Sequence, residues 1–178
     1  MTEENLAAWA TPYVEAGGLF GVGFDVLFWG FKRACISSAS EMSVPEEWNL
    51  NASNYLINEA TPQTDKDKII AGSARSPTYY SGGLILDLNS NAGAMTLDDC
   101  VFVRSGNWDP NTYIHEMVHV GQYADLGPEG FLTAYFGSSA LEIVRRWAND
   151  EPTDPMTASY LEAEAYEIGN RFDPAHAR

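Results

Sequence analysis

The chain has 178 residues, 45% of them hydrophobic, enough for one domain with a sizeable core. Its formal net charge is −15, with 10 basic residues against 25 acidic ones. A surface this acidic repels nucleic-acid phosphates and anionic membranes, so neither is an expected partner, and cationic ligands are favoured.

Residues 5–16 place Leu6, Trp9, Ala10, Tyr13 and Val14 at helical spacing, ending at Gly17-Gly18. The most apolar stretch, Gly17 to Phe31, is interrupted by Asp25 and falls short of the roughly 20 residues that a span needs. Glu3 and Glu4 stand where a secretory signal would carry lysines. The expectation is a cytoplasmic protein without stable membrane insertion, non-classical export being left open. Leu19 to Ile36 reads as helix or strand, and Lys32-Arg33 suits a helix C-terminus. Cys35 and Cys100 form no metal spacing and are expected as free thiols.

Ser37 to Asn54 is polar, with Pro45, and reads as loop plus a turn of helix. Thr61 to Pro77 reads as loop around the short run Lys68-Ile69-Ile70-Ala71. From Tyr79 the pattern changes to period two. Leu84 to Leu88 reads as a strand between Gly82-Gly83 and Asn89-Ser90-Asn91. Ala94–Leu97 and Cys100–Val103 read as strands about Asp98-Asp99, a hairpin. An exposed edge strand there could add an extended peptide through backbone hydrogen bonds.

His115-Glu116-Met117-Val118-His119 then reads His-Glu-x-x-His in a chain with only one other histidine, His176. Residues four apart share a helix face, so His115 and His119 can hold one zinc ion through ring nitrogens. Glu116 can reach a water on that ion and act as general base. The flanks support a helix from Pro110 to about Asp125. Asp109 is a good N-cap, Pro110 fits the first helical position, and Gly127-Pro128 is a stop. Residues Glu129 to about Ala148 form a further apolar helix, with a kink expected near Gly137-Ser138. A loop over 149–155 leads to a last helix from Pro155 or Met156 to Phe172. The whole pattern is α+β and mainly helical, with a small sheet or hairpin at about residues 84–104 ahead of the metal helix.

A catalytic zinc takes a third protein ligand and keeps an open position. His176 lies in a tail expected to fray. Asp125 has the right spacing for a ligand beyond a glycine turn, but Gln122 stands where that glycine is needed. Glu162 and Glu164 on the last helix remain, and they point apart. Glu162 shares a face with Ala165, Tyr166 and Gly169, the small side able to pack on the metal helix, and is favoured over Glu164. Tyr123, Tyr160 and Tyr166 are candidate donors to an oxyanion. Gln122 either meets the outer side of a ligand or faces solvent.

His115 to Gln122, followed by the Glu162-Ala163-Glu164-Ala165 helix, resembles the gluzincins, zinc peptidases whose third ligand is a glutamate on a later helix. In a membrane-bound branch of that group the glutamate begins a Glu-x-x-x-Asp run; mapped here it is Glu162, with Tyr166 in place of the aspartate. A nearer likeness is to the short, soluble bacterial zincin-like peptidases found with extracellular contractile injection systems. It covers Gly93 to about Arg171 and leaves residues 1–80 unassigned, packed on the same domain.

The resemblance implies a zincin-like fold and a zinc-dependent metallopeptidase with one Zn²⁺ per chain on His115, His119 and Glu162. The expected partner is a peptide or protein substrate. Zinc would lower the pKa of its water towards roughly 7, and Glu116 would move the proton to the leaving amine. The competing class is a non-catalytic, zinc-stabilised interaction module, against which the retained Glu116 argues. A secreted effector or toxin protease would change the location and keep the chemistry.

Overall fold

A computed structural model describes residues 21–106, 108–149 and 159–172. The helix expected over 5–16, His176, and the expected start of the last helix at 155–158 lie outside the described residues. The described fold is α+β and mainly helical: α1 (Gly21–Ser37), β1 (Ala39–Met42), α2 (Glu46–Ile57), α3 (Gln63–Ala74), β2 (Thr78–Gly82), α4 (Leu84–Leu88), β3 (Ala94–Leu97), β4 (Cys100–Val103), α5 (Pro110–Ala148) and α6 (Tyr160–Arg171).

The first half settles one open reading and departs from the sequence reading in three places. The open stretch before Ile36 is helix, α1, burying Phe28, Lys32 and Cys35 on one face. Lys32 is therefore not a solvated residue at a helix end; its ammonium meets Asp98 and Asp99 at 2.6 Å each. The polar segment after Ser37 forms β1 and α2, with Pro45 leading into α2 and Glu46 and Glu47 at the positive end of its dipole. The expected loop over 61–77 contains α3. Its buried stripe is Asp65, Ile69 and Gly72, at helical spacing but with only one large apolar side chain. The expected strand at Leu84 to Leu88 is a short helix. Gly82 and Gly83, at φ 75° and 110°, turn the chain out of the sheet, and the Gly83 carbonyl accepts from the Leu86 and Asp87 amides.

The sheet accordingly has four strands in the order β1-β2-β4-β3, with β2 and β4 parallel and the other pairs antiparallel. The expected hairpin is present: Leu97 pairs with Cys100 across Asp98 and Asp99, with Asp98 left-handed at φ 61°. Central β4 is buried throughout. Val101 and Val103 face a core with Tyr113, Ile114, Met117 and Ile168, whereas Cys100 and Phe102 face a second core with Phe28, Leu86, Tyr123 and Phe131. Both cysteines are free and buried.

Two close contacts set the position of α5. A Cβ on Gly121 would lie 2.4 Å from the Lys68 carbonyl oxygen, and one on Gly72 2.2 Å from that of Met117. The backbones of α3 and α5 therefore touch where only hydrogen atoms fit. Asp109 caps α5, its Oδ1 accepting from the Asn111 and Thr112 amides at 2.9 Å each. Gly127, at φ 66° and ψ 168°, is the non-helical residue inside Pro110–Ala148, so α5 breaks at the expected stop signal and then resumes. The chain stays helical through Gly137-Ser138, where the kink was expected. Ser159 caps α6. Asp65, fully buried on α3, anchors the far end of α6 by accepting from Arg171 Nε at 2.9 Å and Nη2 at 2.8 Å.

Candidate metal centre

His115 and His119 lie on one face of the first half of α5, their Nε2 atoms 3.1 Å apart. Glu162, in the first turn of α6, brings Oε2 to 3.3 Å from His115 Nε2 and 3.5 Å from His119 Nε2. Ala165 and Gly169 allow this approach: Ala165 is fully buried, and a Cβ at Gly169 would already touch the Asn111 carbonyl oxygen and His115. Ligand atoms about 2.0–2.1 Å from a tetrahedral zinc stand roughly 3.3 Å from one another, the spacing of these three. The donor set, two imidazole nitrogens and a carboxylate oxygen within 4.8 Å of one another, fits a zinc ion.

The groups behind the cluster orient it. Gln122 is fully buried; its Nε2 donates to the Leu161 carbonyl at 3.0 Å and to Glu164 Oε2 at 2.7 Å. Those two acceptors fix the amide, so its Oε1 accepts from His119 Nδ1 at 2.7 Å. That bond holds a proton on Nδ1 and turns Nε2 towards Glu162 and His115. Tyr135, on the second half of α5, donates to Glu162 Oε1 at 3.0 Å and leaves Oε2 to the histidines. Burial opposes charge on both partners, yet the contact outweighs it. The His119 imidazole is pushed up to about 9 by Glu162, and Glu162 is held well below the usual carboxylate range by both histidines. The cluster is built to surround positive charge.

Glu116 is buried on the neighbouring face of α5, and Thr96 Oγ1 donates to its Oε2 at 2.7 Å. Thr96 belongs to β3, the edge strand nearest the helix. The Arg104 amide bonds the Gly93 carbonyl, and pairs alternate in an antiparallel ladder, so Met95 and Leu97 spend their backbone groups on β4. Ala94 and Thr96 turn theirs to the open edge, where no backbone partner is present among the described residues. This edge and the cluster line a cleft of about 990 Å³.

The other candidates stand elsewhere. Glu164 faces Gln122, away from the histidines' Nε2 atoms. Asp125 is half exposed and paired with Lys68 at 2.7 Å. Tyr123 is buried under the site, stacked on Phe131 at 3.7 Å, with its phenol at the Asp98 backbone. Tyr160 packs against the second core and is not part of the cleft lining. Tyr166 lies over His115 at the rim, with ring centroids 4.5 Å apart. Sequence reasoning missed Tyr135, which reads as one more aromatic in the stripe with Phe131 and Leu132, and Thr96, whose place opposite Glu116 depends on the sheet register. Compared with the models of known protein families, with curated proteins and with solved structures, the chain matches none. No helix among the described residues is long and apolar enough to cross a membrane.

Proposed function

We propose that the protein is a zinc-dependent hydrolase, most simply a metallopeptidase, with zinc held by His115, His119 and Glu162. The observation that carries this is the meeting of those three side chains, with Nε2 and Oε2 atoms 3.1–3.5 Å apart, beside a buried Glu116 and an open cleft. A zinc ion there would supply a Lewis acid that makes water acidic near neutral pH and polarises an amide carbonyl.

The chain's own residues do the rest. Glu116, positioned by Thr96, accepts a proton from the attacking water and returns it to the departing amine. Gln122 keeps His119 in one tautomer, and Tyr135 keeps one oxygen of Glu162 turned to the histidines. The free edge of β3 hydrogen-bonds an extended substrate backbone across the cluster. Buried apolar walls at Tyr123 and Phe131 exclude bulk water from one side.

The cleft supports this reading over a non-catalytic module, since a structural zinc site is normally closed by a fourth protein ligand. The test is cleavage of a mixed peptide library by zinc-loaded protein, with Glu116→Gln as control. Cleavage by the wild type that falls at least a hundredfold in Glu116→Gln supports the proposal. Zinc-loaded wild type that cleaves nothing, or an equally active Glu116→Gln protein, refutes it.

A further inference from the structure

The cleft is chemically lopsided along α5. Towards the N-terminus of α5 its walls are Asn111 and Thr112, with Asn170 from the end of α6. Beyond His119 the walls are Phe131, Leu132 and Phe136, faced by Leu27 and Phe31 of α1. Leu27 is 76% exposed and Phe136 64% exposed, so neither serves the core, and both stand at the cleft mouth. No lysine or arginine is present among the described lining residues, which include Asp109, Glu116 and Glu162. An acidic guest is unwelcome in such a cleft, and more so beside a chain of net charge −15.

The direction of a guest follows from β3. Ala94 packs with the core around Tyr113 and Ile114, Thr96 meets Glu116, and the Asp98 backbone meets Tyr123. Strand β3 therefore runs in the same sense as α5, from the polar end of the cleft to the apolar end. Antiparallel pairing is the more stable addition to a strand edge. A peptide added that way lays its N-terminal half over Leu97 and the apolar walls, and its C-terminal half over Asn111, Thr112 and Asn170.

We infer that the site selects extended peptides with bulky aliphatic or aromatic residues on the N-terminal side of the scissile bond, and polar, non-acidic residues on the other. This rests on the peptidase reading and adds the substrate class. The test separates binding from turnover. Zinc-loaded Glu116→Gln protein is titrated with labelled octapeptides carrying Leu and Phe in one half and Asn and Lys in the other, in both orders, with acidic versions alongside. Fluorescence anisotropy reads the affinity, and wild-type digests of the same peptides map the bonds cut.

The expected result is at least tenfold tighter binding of peptides with the apolar half first. That advantage falls at least threefold in Phe136→Ser and Leu27→Ser, both at exposed positions, with zinc content retained. Equal or better binding of the reversed or acidic peptides overturns the inference. So does an absence of peptide binding, or a preference for a dodecanoyl amide over every peptide, which would make the occupant a lipid. Selective binding without any wild-type cleavage would leave the selectivity standing and remove the peptidase. Cleavage without apolar preference before the cut bond would do the reverse.

Discussion

Replacing Gln122 by leucine keeps most of the side-chain volume and removes three hydrogen bonds, to His119 Nδ1, the Leu161 carbonyl and Glu164. His119 is buried, so its Nδ1 loses its partner with no access to water, whereas the buried Leu161 carbonyl, inside α6, keeps its helical bond and loses one of two. The orphaned Nδ1 costs about 1–3 kcal/mol and the second bond to Leu161 about 0.5–1.5, while the added apolar contact returns about 1, which leaves a net loss of roughly 0.5–3.5 kcal/mol in folding. For a chain of this size that lowers Tm by about 1–14 °C. The effect on zinc is separate. With no acceptor at Nδ1 the imidazole is free to adopt the wrong tautomer or rotate, and loss of such a partner lowers metal affinity about 10–100-fold. The assay is a competition titration against a chelator of known affinity, run beside urea unfolding. An affinity within about threefold of wild type, despite the stability loss, would refute the claim that Gln122 aims His119. Glu164→Gln keeps an acceptor for the Gln122 amide and is expected to leave affinity within threefold.

Gly121→Ala would put a methyl 2.4 Å from the Lys68 carbonyl oxygen, a backbone atom that no rotamer change relieves; the expected loss is about 3 kcal/mol in urea unfolding, and a loss below about 0.5 would contradict the packing argument. Asp98→Ala leaves Lys32 buried with one carboxylate instead of two and removes the partner of Arg75; unfolding titrations should give a loss of about 3 kcal/mol. The clamp between Lys32 and the hairpin carries its own pH signature. Burial opposes charge on both partners, but their contact raises Lys32 above its ordinary 10.5 and lowers Asp99 below 3.8. Its contribution is complete between those values, declines as pH rises through the raised lysine value, and declines as pH falls through the lowered carboxylate value. The stability difference between wild type and Asp99→Asn should therefore be flat from about pH 5 to 9, and a slope there would exclude this pairing.

The helix of the candidate metal centre was legible because its signals are local. Two histidines four apart, the Asp109 cap and the Gly127-Pro128 stop need no knowledge of the rest of the chain. Glu162 came within reach through the faces of one helix, where Ala165 and Gly169 mark the side that packs. The hairpin followed from the alternation either side of Asp98-Asp99. Helix α3 was hidden because its buried stripe includes an aspartate and a glycine. Asp65 is inside because Arg171, 106 residues away, and the Tyr55 hydroxyl meet it there. The four apolar residues of α4, interrupted by Asp87, fit a strand and a buried helix equally, and the two left-handed glycines before it decide the matter. Strand β1, Ala-Ser-Glu-Met, exists by virtue of its pairing with β2 and shows no strand signal of its own. Thr96 and Tyr135 belong to the site through register and helix crossing, which no single segment encodes.

Zinc content after metal loading, by elemental analysis of the wild type, His119→Ala, Glu162→Ala and Glu164→Ala, tests the central claim most directly. About one zinc per chain in the wild type, abolished in His119→Ala, sharply reduced in Glu162→Ala and retained in Glu164→Ala, is the result predicted. No zinc in the wild type, or retention in Glu162→Ala with loss in Glu164→Ala, would contradict it.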